Sequence, residues 1–325
     1  MDIRSFQPIE RAEIGTTVNR PVLVLSVTDV YKNGKQSYVK ISMRDGFSEF
    51  TVNMFKTSKA ELADKGVIKY AVCDVFIDVT DYKGSKSMLV QDIFPTKAEG
   101  ISADDFVKLP PVDRELMFNE ITDILNSAAD DMNGEYAPLS ALAVKLLSDN
   151  KESFMSSSAA VSVHHNFLGG LIYHTYRMVK AADKISDVYT NLDRELLVSA
   201  AAIHDIGKLW EYETHRLGDA DYTPTGILFG HAFMGASLVK SKGGEKPYHP
   251  EKVKLLRHMI LSHHGALEWG AVVLPAIPEA FALHYIDNLD AKLNIVETAY
   301  ETMDNGTVSA NKPFGLDGRV YKPKY

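Results

Sequence analysis

The sequence predicts a multidomain α and β protein, a five-stranded β-barrel followed by an all-α domain. Three observations predict it. Residues 17–94 carry β-branched and apolar residues alternating with polar ones between short turn signals. From Asn166 onward, apolar residues recur at helical spacing, with Gly and Pro punctuation at 218–230, 243–250 and 270–278. All eleven histidines lie between His164 and His284, so the first 163 residues hold none. Histidine gathered in this way suits a metal site, because neutral imidazole is the commonest protein ligand for transition metals.

The barrel elements follow in order. Val18 to Val30 reads as a first strand, and Asn33-Gly34 as a hairpin turn. Tyr38 to Met43 alternates as a second strand, and Arg44-Asp45-Gly46 turns. Phe47, Phe50, Val52 and Phe55 mark a third strand, and Ser58 to Lys65 a short helix. Val67 to Thr80 is a fourth strand, Tyr82 to Ser85 a turn, and Lys86 to Phe94 a fifth. Five strands with a helix between the third and fourth is the order of an OB-fold barrel. Expected domains are residues 1–98 as a nucleic-acid-binding OB barrel, 99–158 as a helical connector, 159–310 as the all-α metal domain, and 311–325 as a tail.

Bulk properties narrow the function classes. At 325 residues and 45% hydrophobic, the chain has material for two packed domains. One cysteine, Cys73, excludes an internal disulfide framework. The absence of a spanning apolar run or signal-peptide pattern predicts a cytoplasmic protein with no membrane partner. The net charge of −8 argues against coating nucleic acid by charge alone. That charge is uneven: residues 1–98 carry 14 basic against 12 acidic residues, and the remainder 21 against 31. The first part can meet a phosphate backbone, while bound divalent metal would offset part of the acidic excess in the second.

The chemistry gathers on helices. His174 has Leu171, Met178, Ala182 and Ile185 on its face. His204, on a helix read as Arg194 to Trp210, shares a face with Leu197, Ala200 and Ala201. Asp287 has Leu283, Ala291 and Ile295 on its face. A carboxylate on a buried stripe is costly unless something positive meets it. A lone core histidine is more often just hydrogen-bonded than a ligand. Here, however, His174, His204, Asp205, His231, His263-His264 and Asp287 follow one another at about helix-plus-loop intervals. One shared metal site accounts for all of them, where independent accidents must account for each.

On these residues the chain resembles the HD-domain metal-dependent phosphohydrolases: His174, the His204-Asp205 pair and Asp287 form the H…HD…D pattern. Gly230-His231 and Ser262-His263-His264-Gly265 match the additional histidines of the two-metal branch. The match covers residues 160–300. With the barrel in front, the whole chain resembles the YhaM-type 3′-to-5′ exoribonucleases of Gram-positive bacteria. The resemblance implies a metal-dependent exoribonuclease that releases nucleoside 5′-monophosphates, with two divalent ions, manganese before other transition divalents. His174, His204 and Asp287 would hold one ion, His231 and His263 the other, and Asp205 would bridge them with its two oxygens. The His263-His264 doublet leaves open which imidazole binds, and the family's pattern matches the first.

Lys208, four residues after His204, is a candidate catalytic and phosphate-binding group. His165 and His264 are candidate substrate contacts. On the barrel, Tyr38, Lys40 and Phe50 are candidates for gripping the strand by stacking and charge, although alternation puts half of such aromatics inside. The expected partner is single-stranded RNA, with single-stranded DNA as a second polymer and a homo-oligomer as one possible assembly. An alternative is an HD phosphohydrolase acting on a small nucleotide, its OB domain serving regulation or oligomerisation. A third reading, a nucleic-acid-binding protein with a relic fold, conflicts with the retention of every ligand type.

Overall fold

The computed structural model describes residue 3 and residues 6–325, apart from 34, 161–166, 216, 245 and 246. The chain divides into two compact units, Met1–Lys108 with Val296–Tyr325, and Leu109–Ile295.

The first unit is built on a closed barrel of order β1-β2-β3-β5-β4. β1 (Thr17–Lys32) is long enough to serve two neighbours. Its first part, Thr17 to Leu23, pairs with β4 (Val72–Tyr82), and its second part pairs with β2 (Lys35–Arg44). The register shift between Val24 and Ser26 falls where it changes partner, as a bulge that bends a strand at a barrel corner should. β3 (Glu49–Met54) pairs with β2 and touches β5 (Ser85–Pro95) in parallel at Asn53–Leu89, completing the OB-type closure.

β3 and β4 are each shorter than the sequence pattern suggests. Phe47 lies in the β2–β3 turn, where its N–H donates to Asp45 Oδ1, and Phe55 follows the last residue of β3. β4 begins at Val72, not Val67, because Tyr70 takes a positive φ of 68° and Val67 packs inward from a loop. α1 (Lys59–Asp64) is held by a Ser58–Glu61 capping box and seats Leu62 in the barrel core. Residues after Thr302 belong to this unit, where Val308 and Tyr321 form a bridge and Tyr300 Oη donates to the Tyr321 carbonyl.

The second unit is helical, with one small addition. α2 (Arg114–Ser127), α3 (Leu139–Asp149) and α4 (Lys151–Ser156) share a core with α5 (Gly170–Val188) and α6 (Arg194–Ile203), through Met117, Ile121, Leu146, Phe154, Met178 and Leu197. α6 stops at Ile203. His204 to Gly207 form a turn, followed by the one-turn helix α7 (Lys208–Glu211). The continuous helix expected from Arg194 to Trp210 is therefore broken at the His-Asp pair.

A two-stranded ribbon, β6 (Tyr212–Thr214) with β7 (Ala220–Tyr222), follows, its Tyr212 and Tyr222 rings 5.0 Å apart. α8 (Pro224–Gly243) starts at a Thr223 cap with Pro224 in its first turn. α9 (Pro250–Ser262) and α10 (Pro278–Thr302) complete the set. Among the described residues, no helix is long and apolar enough to cross a membrane.

Candidate metal centre

Five elements bring the polar groups together inside the helical unit. His174 projects from α5, His204 and Asp205 from the turn after α6, His231 from α8, His263 from the C-terminal end of α9, and Asp287 from α10. His174, His204, Asp205 and His263 are at most 3% exposed. The turn carrying Asp205 packs tightly on α8, since a Cβ on Gly207 would stand 2.0 Å from the His231 carbonyl oxygen. Gly230, at φ 67°, breaks α8 just before His231.

Asp205 turns its two oxygens to opposite sides. Oδ2 lies 3.3 Å from His204 Nε2 and 3.7 Å from His174 Nε2. Oδ1 lies 3.5 Å from His231 Nε2 and 3.7 Å from His263 Nε2. Asp287 Oδ1 is 3.4 Å from His174 Nε2.

The far nitrogen of each ring is occupied. His204 Nδ1 donates to the Ala201 carbonyl at 3.0 Å and His263 Nδ1 to that of Ile260 at 2.7 Å. His174 Nδ1 donates to Asp290 Oδ2 and His231 Nδ1 to Glu211 Oε2, each at 2.7 Å. A carbonyl can only accept, so the proton of a neutral His204 or His263 is on Nδ1, and Nε2 offers its lone pair inward.

The arrangement is short of positive charge. His174 Nε2 and His204 Nε2 face each other at 3.3 Å. Asp205 Oδ1, His231 Nε2 and His263 Nε2 are buried without a hydrogen-bond partner. Each such orphan costs about 1–3 kcal/mol, which a cation would recover. Nitrogen and oxygen donors of this kind suit a borderline transition divalent ion. Three groups have ligand atoms within 4.8 Å of one another: His174, His204 and Asp205; His231, His263 and His264; and His204, His263 and Asp287.

Ionisation follows from these contacts. Burial alone would raise the Asp205 carboxyl, but Lys208 and His204 hold it well below the ordinary carboxylate value. Burial and the neighbouring imidazoles of His264 and His204 keep His263 neutral by lowering its pKa well below the usual range. Burial and His231 lower His264 in the same sense. For His263, His264 and Asp205 these are the protonation states that metal ligation needs; His174 is the exception, its pKa raised by hydrogen bonds to Asp287 and Asp290 that outweigh burial.

The other expected site residues divide. Lys208 is buried, with Nζ 2.7 Å from Asp205 Oδ2. It reaches that oxygen across the broken turn rather than along a helical face. His264 stands with its ring 4.1 Å from His263 and 5.1 Å from His231, so both members of the doublet come to the centre. His165 lies outside the described residues. In the barrel unit, the half-buried Tyr38 packs 5.6 Å from the Phe55 ring, with Lys32 Nζ 5.7 Å from its own centroid. Lys40 is exposed. Phe50 is 4% exposed and sits in the barrel core, because the β3 alternation turns it inward with Val52 and Met54. Its ring has no free face for a base.

Two carboxylates of the centre, Asp290 and Glu211, escaped the sequence reading. The available signals were that Asp290 follows Asp287 by three residues on the same helix, and Glu211 follows Lys208 by three.

Known proteins resemble this chain along nearly its whole length. Residues 171–292 match the HD domain family. The chain is 30% identical over 318 residues to the 3′-5′ exoribonuclease YhaM of Bacillus subtilis strain 168, covering 96% of this chain and 97% of that one. It is 30% identical over 316 residues to the protein of that name from Listeria monocytogenes serovar 1/2a, at 96% and 97% coverage. Identity is 29% over 319 residues to that of Shouchella clausii, at 98% and 97%. With a closed five-stranded barrel, an HD domain and a nearly full-length match, the chain belongs to the YhaM family of 3′-5′ exoribonucleases and is a metal-dependent hydrolase.

Proposed function

We propose that this protein shortens single-stranded RNA from its 3′ end, releasing nucleoside 5′-monophosphates at a centre of two divalent cations, manganese first among them. The observation that carries this reading is Asp205, whose two oxygens face two separate pairs of imidazole Nε2 atoms. Such a carboxylate is built to touch two cations at once. His174, His204 and Asp287 would hold one, and His231 and His263 the other, with His264 beside the second. When bound, the pair would make a nucleophile from water near neutral pH and neutralise charge developing on the phosphoryl oxygens.

The side chains do the rest. The Nδ1 hydrogen bonds fix ring orientation before substrate arrives. Lys208 places a positive charge against Asp205 and can turn to a phosphate oxygen. His264, kept neutral, presents a buried Nδ1 that has no hydrogen-bond partner. On the barrel, Tyr38, Phe55, Lys32 and Lys40 combine ring faces with ammonium groups, the chemistry that holds single strands without reading sequence. The relatives' name supplies the polymer and the polarity. The one thiol, Cys73, is buried and free, which fits a cytoplasmic setting.

The test is a manganese-supplemented digest of 5′-labelled single-stranded RNA, with single-stranded DNA in parallel. A ladder of shortened labelled products and released 5′-monophosphates supports the proposal. Survival of the RNA while a free nucleotide is hydrolysed would replace it with a small-molecule phosphohydrolase.

A further inference from the structure

The four inward-facing imidazoles are oriented in two different ways. His204 and His263 each stand at the end of a helix and donate from Nδ1 to the carbonyl three residues back, Ala201 and Ile260. Their orientation is local and comes with the helix. His174 lies within α5, and His231 directly after the Gly230 break. Each takes its acceptor from another element, Asp290 of α10 for His174 and Glu211 of α7 for His231.

Both acceptors are carboxylates, and both are buried, at 5% and 6% exposure. Each is itself fixed at a second point. Asp290 Oδ1 is 2.5 Å from Arg177 Nε. Glu211 Oε1 accepts from the His231 backbone N–H at 3.1 Å, while the Glu211 carbonyl accepts from Thr223 N–H at 2.9 Å. The pairs also fall on opposite sides of Asp205: His174 faces Oδ2 and His231 faces Oδ1. Each half of the centre thus has one imidazole set by its own helix and one set by a carboxylate brought from elsewhere.

We propose that Asp290 and Glu211 are positioning residues of the centre, one for each half, and that each controls the cation affinity of its own half. The proposal rests on the two-cation reading above. A carboxylate behind an imidazole fixes its tautomer and raises its basicity, and loss of such a partner costs about 10–100-fold in metal affinity. A carbonyl acceptor lacks the charge, so the carboxylate-backed rings are where affinity is tuned.

The experiment is manganese binding to the full chain by equilibrium dialysis, for wild type, Asp290→Asn, Glu211→Gln and the double variant. Wild type takes up two cations. Asp290→Asn weakens one class about 10–100-fold and leaves the other unchanged, Glu211→Gln does the reverse, and the double variant weakens both. A metal-independent readout accompanies it: histidine 15N spectra of the cation-free protein place the His231 proton on Nδ1 in wild type, and Glu211→Gln yields a mixture of tautomers. Arg177→Gln, which spares both carboxylates, weakens the same class as Asp290→Asn, by a smaller factor. Two classes at wild-type affinity in both single variants, or equal weakening of both classes by either, overturns the proposal. Uptake of a single cation by wild type overturns the two-cation reading instead.

Discussion

The Lys208 ammonium, at the start of α7, stands 2.7 Å from Asp205 Oδ2 in the turn after α6, and both residues are buried. Burial disfavours the charged lysine, but Asp205 more than offsets it and holds the Lys208 pKa above its ordinary value. Lys208 would therefore compete with a cation for that oxygen. Lys208→Gln is expected to tighten manganese binding about tenfold, near 1.4 kcal/mol. RNA hydrolysis should fall about 100-fold, as for loss of one donor to a developing oxyanion. Dialysis and single-turnover digestion measure the two effects, and weaker manganese binding would rule out the competition.

Asp205→Asn removes the carboxylate shared by the two halves and leaves Lys208 buried without its counter-charge. Hydrolysis is expected to vanish, while RNA affinity, read by anisotropy, changes less than about threefold because the barrel is untouched. The cation-free variant should lose about 3 kcal/mol in urea unfolding, the cost of breaking a buried pair. A fully active variant would sink the assignment of Asp205.

Gly207→Ala tests the packing that aims the centre. The new Cβ would meet the His231 carbonyl oxygen at 2.0 Å, so α8 must move. A loss of about 1–3 kcal/mol is expected, together with weakened binding of the cation that His231 and His263 would hold. Unchanged melting and unchanged manganese uptake would show that the contact is soft.

The pH dependence follows from His174. Burial favours its neutral form, but hydrogen bonds to Asp287 and Asp290 outweigh burial and push its pKa up to about 10 in the cation-free protein. At neutral pH the ring is protonated, and a cation taking His174 as a ligand would have to displace that proton. Manganese affinity is therefore expected to rise about tenfold per pH unit up to pH 10, with about one proton released per chain near pH 8. The stability of the cation-free chain runs the other way. The raised pKa contributes stability that is fully present below the ordinary 6.5 and is lost as pH rises through about 10. Titration calorimetry in buffers of different ionisation enthalpy counts the protons, and a count of zero contradicts this assignment.

In the barrel, Phe50 and Phe55 separate structure from binding. Phe50→Ala should cost about 3–5 kcal/mol in urea unfolding through the cavity it leaves. Phe55, at 49% exposure, should cost little stability as Ala and weaken single-stranded RNA binding by about 1–3 kcal/mol. Equal effects of the two changes on RNA affinity at unchanged stability would reverse these roles.

The sequence by itself determined the barrel order and the helical second half, and it singled out the histidines, Asp205 and Asp287 as candidates for the centre, but not Asp290 or Glu211. These properties are written in periodicity and in rare residue types: alternation marks β3, the 3.6 spacing marks α5, and segregated histidines mark the chemistry. It could not determine which alternating aromatic faces outward, because period two separates two faces without naming the inner one. Only barrel closure decided that Phe50 points in and that Phe55, past the end of β3, is exposed. Nor could local spacing place Asp290 behind His174, a contact spanning 116 residues, or end α6 at Ile203, before the turn whose Gly207 packs against the His231 backbone. Hydrogen bonds between distant elements depend on how helices pack, and that is a property of the assembled core rather than of any one segment.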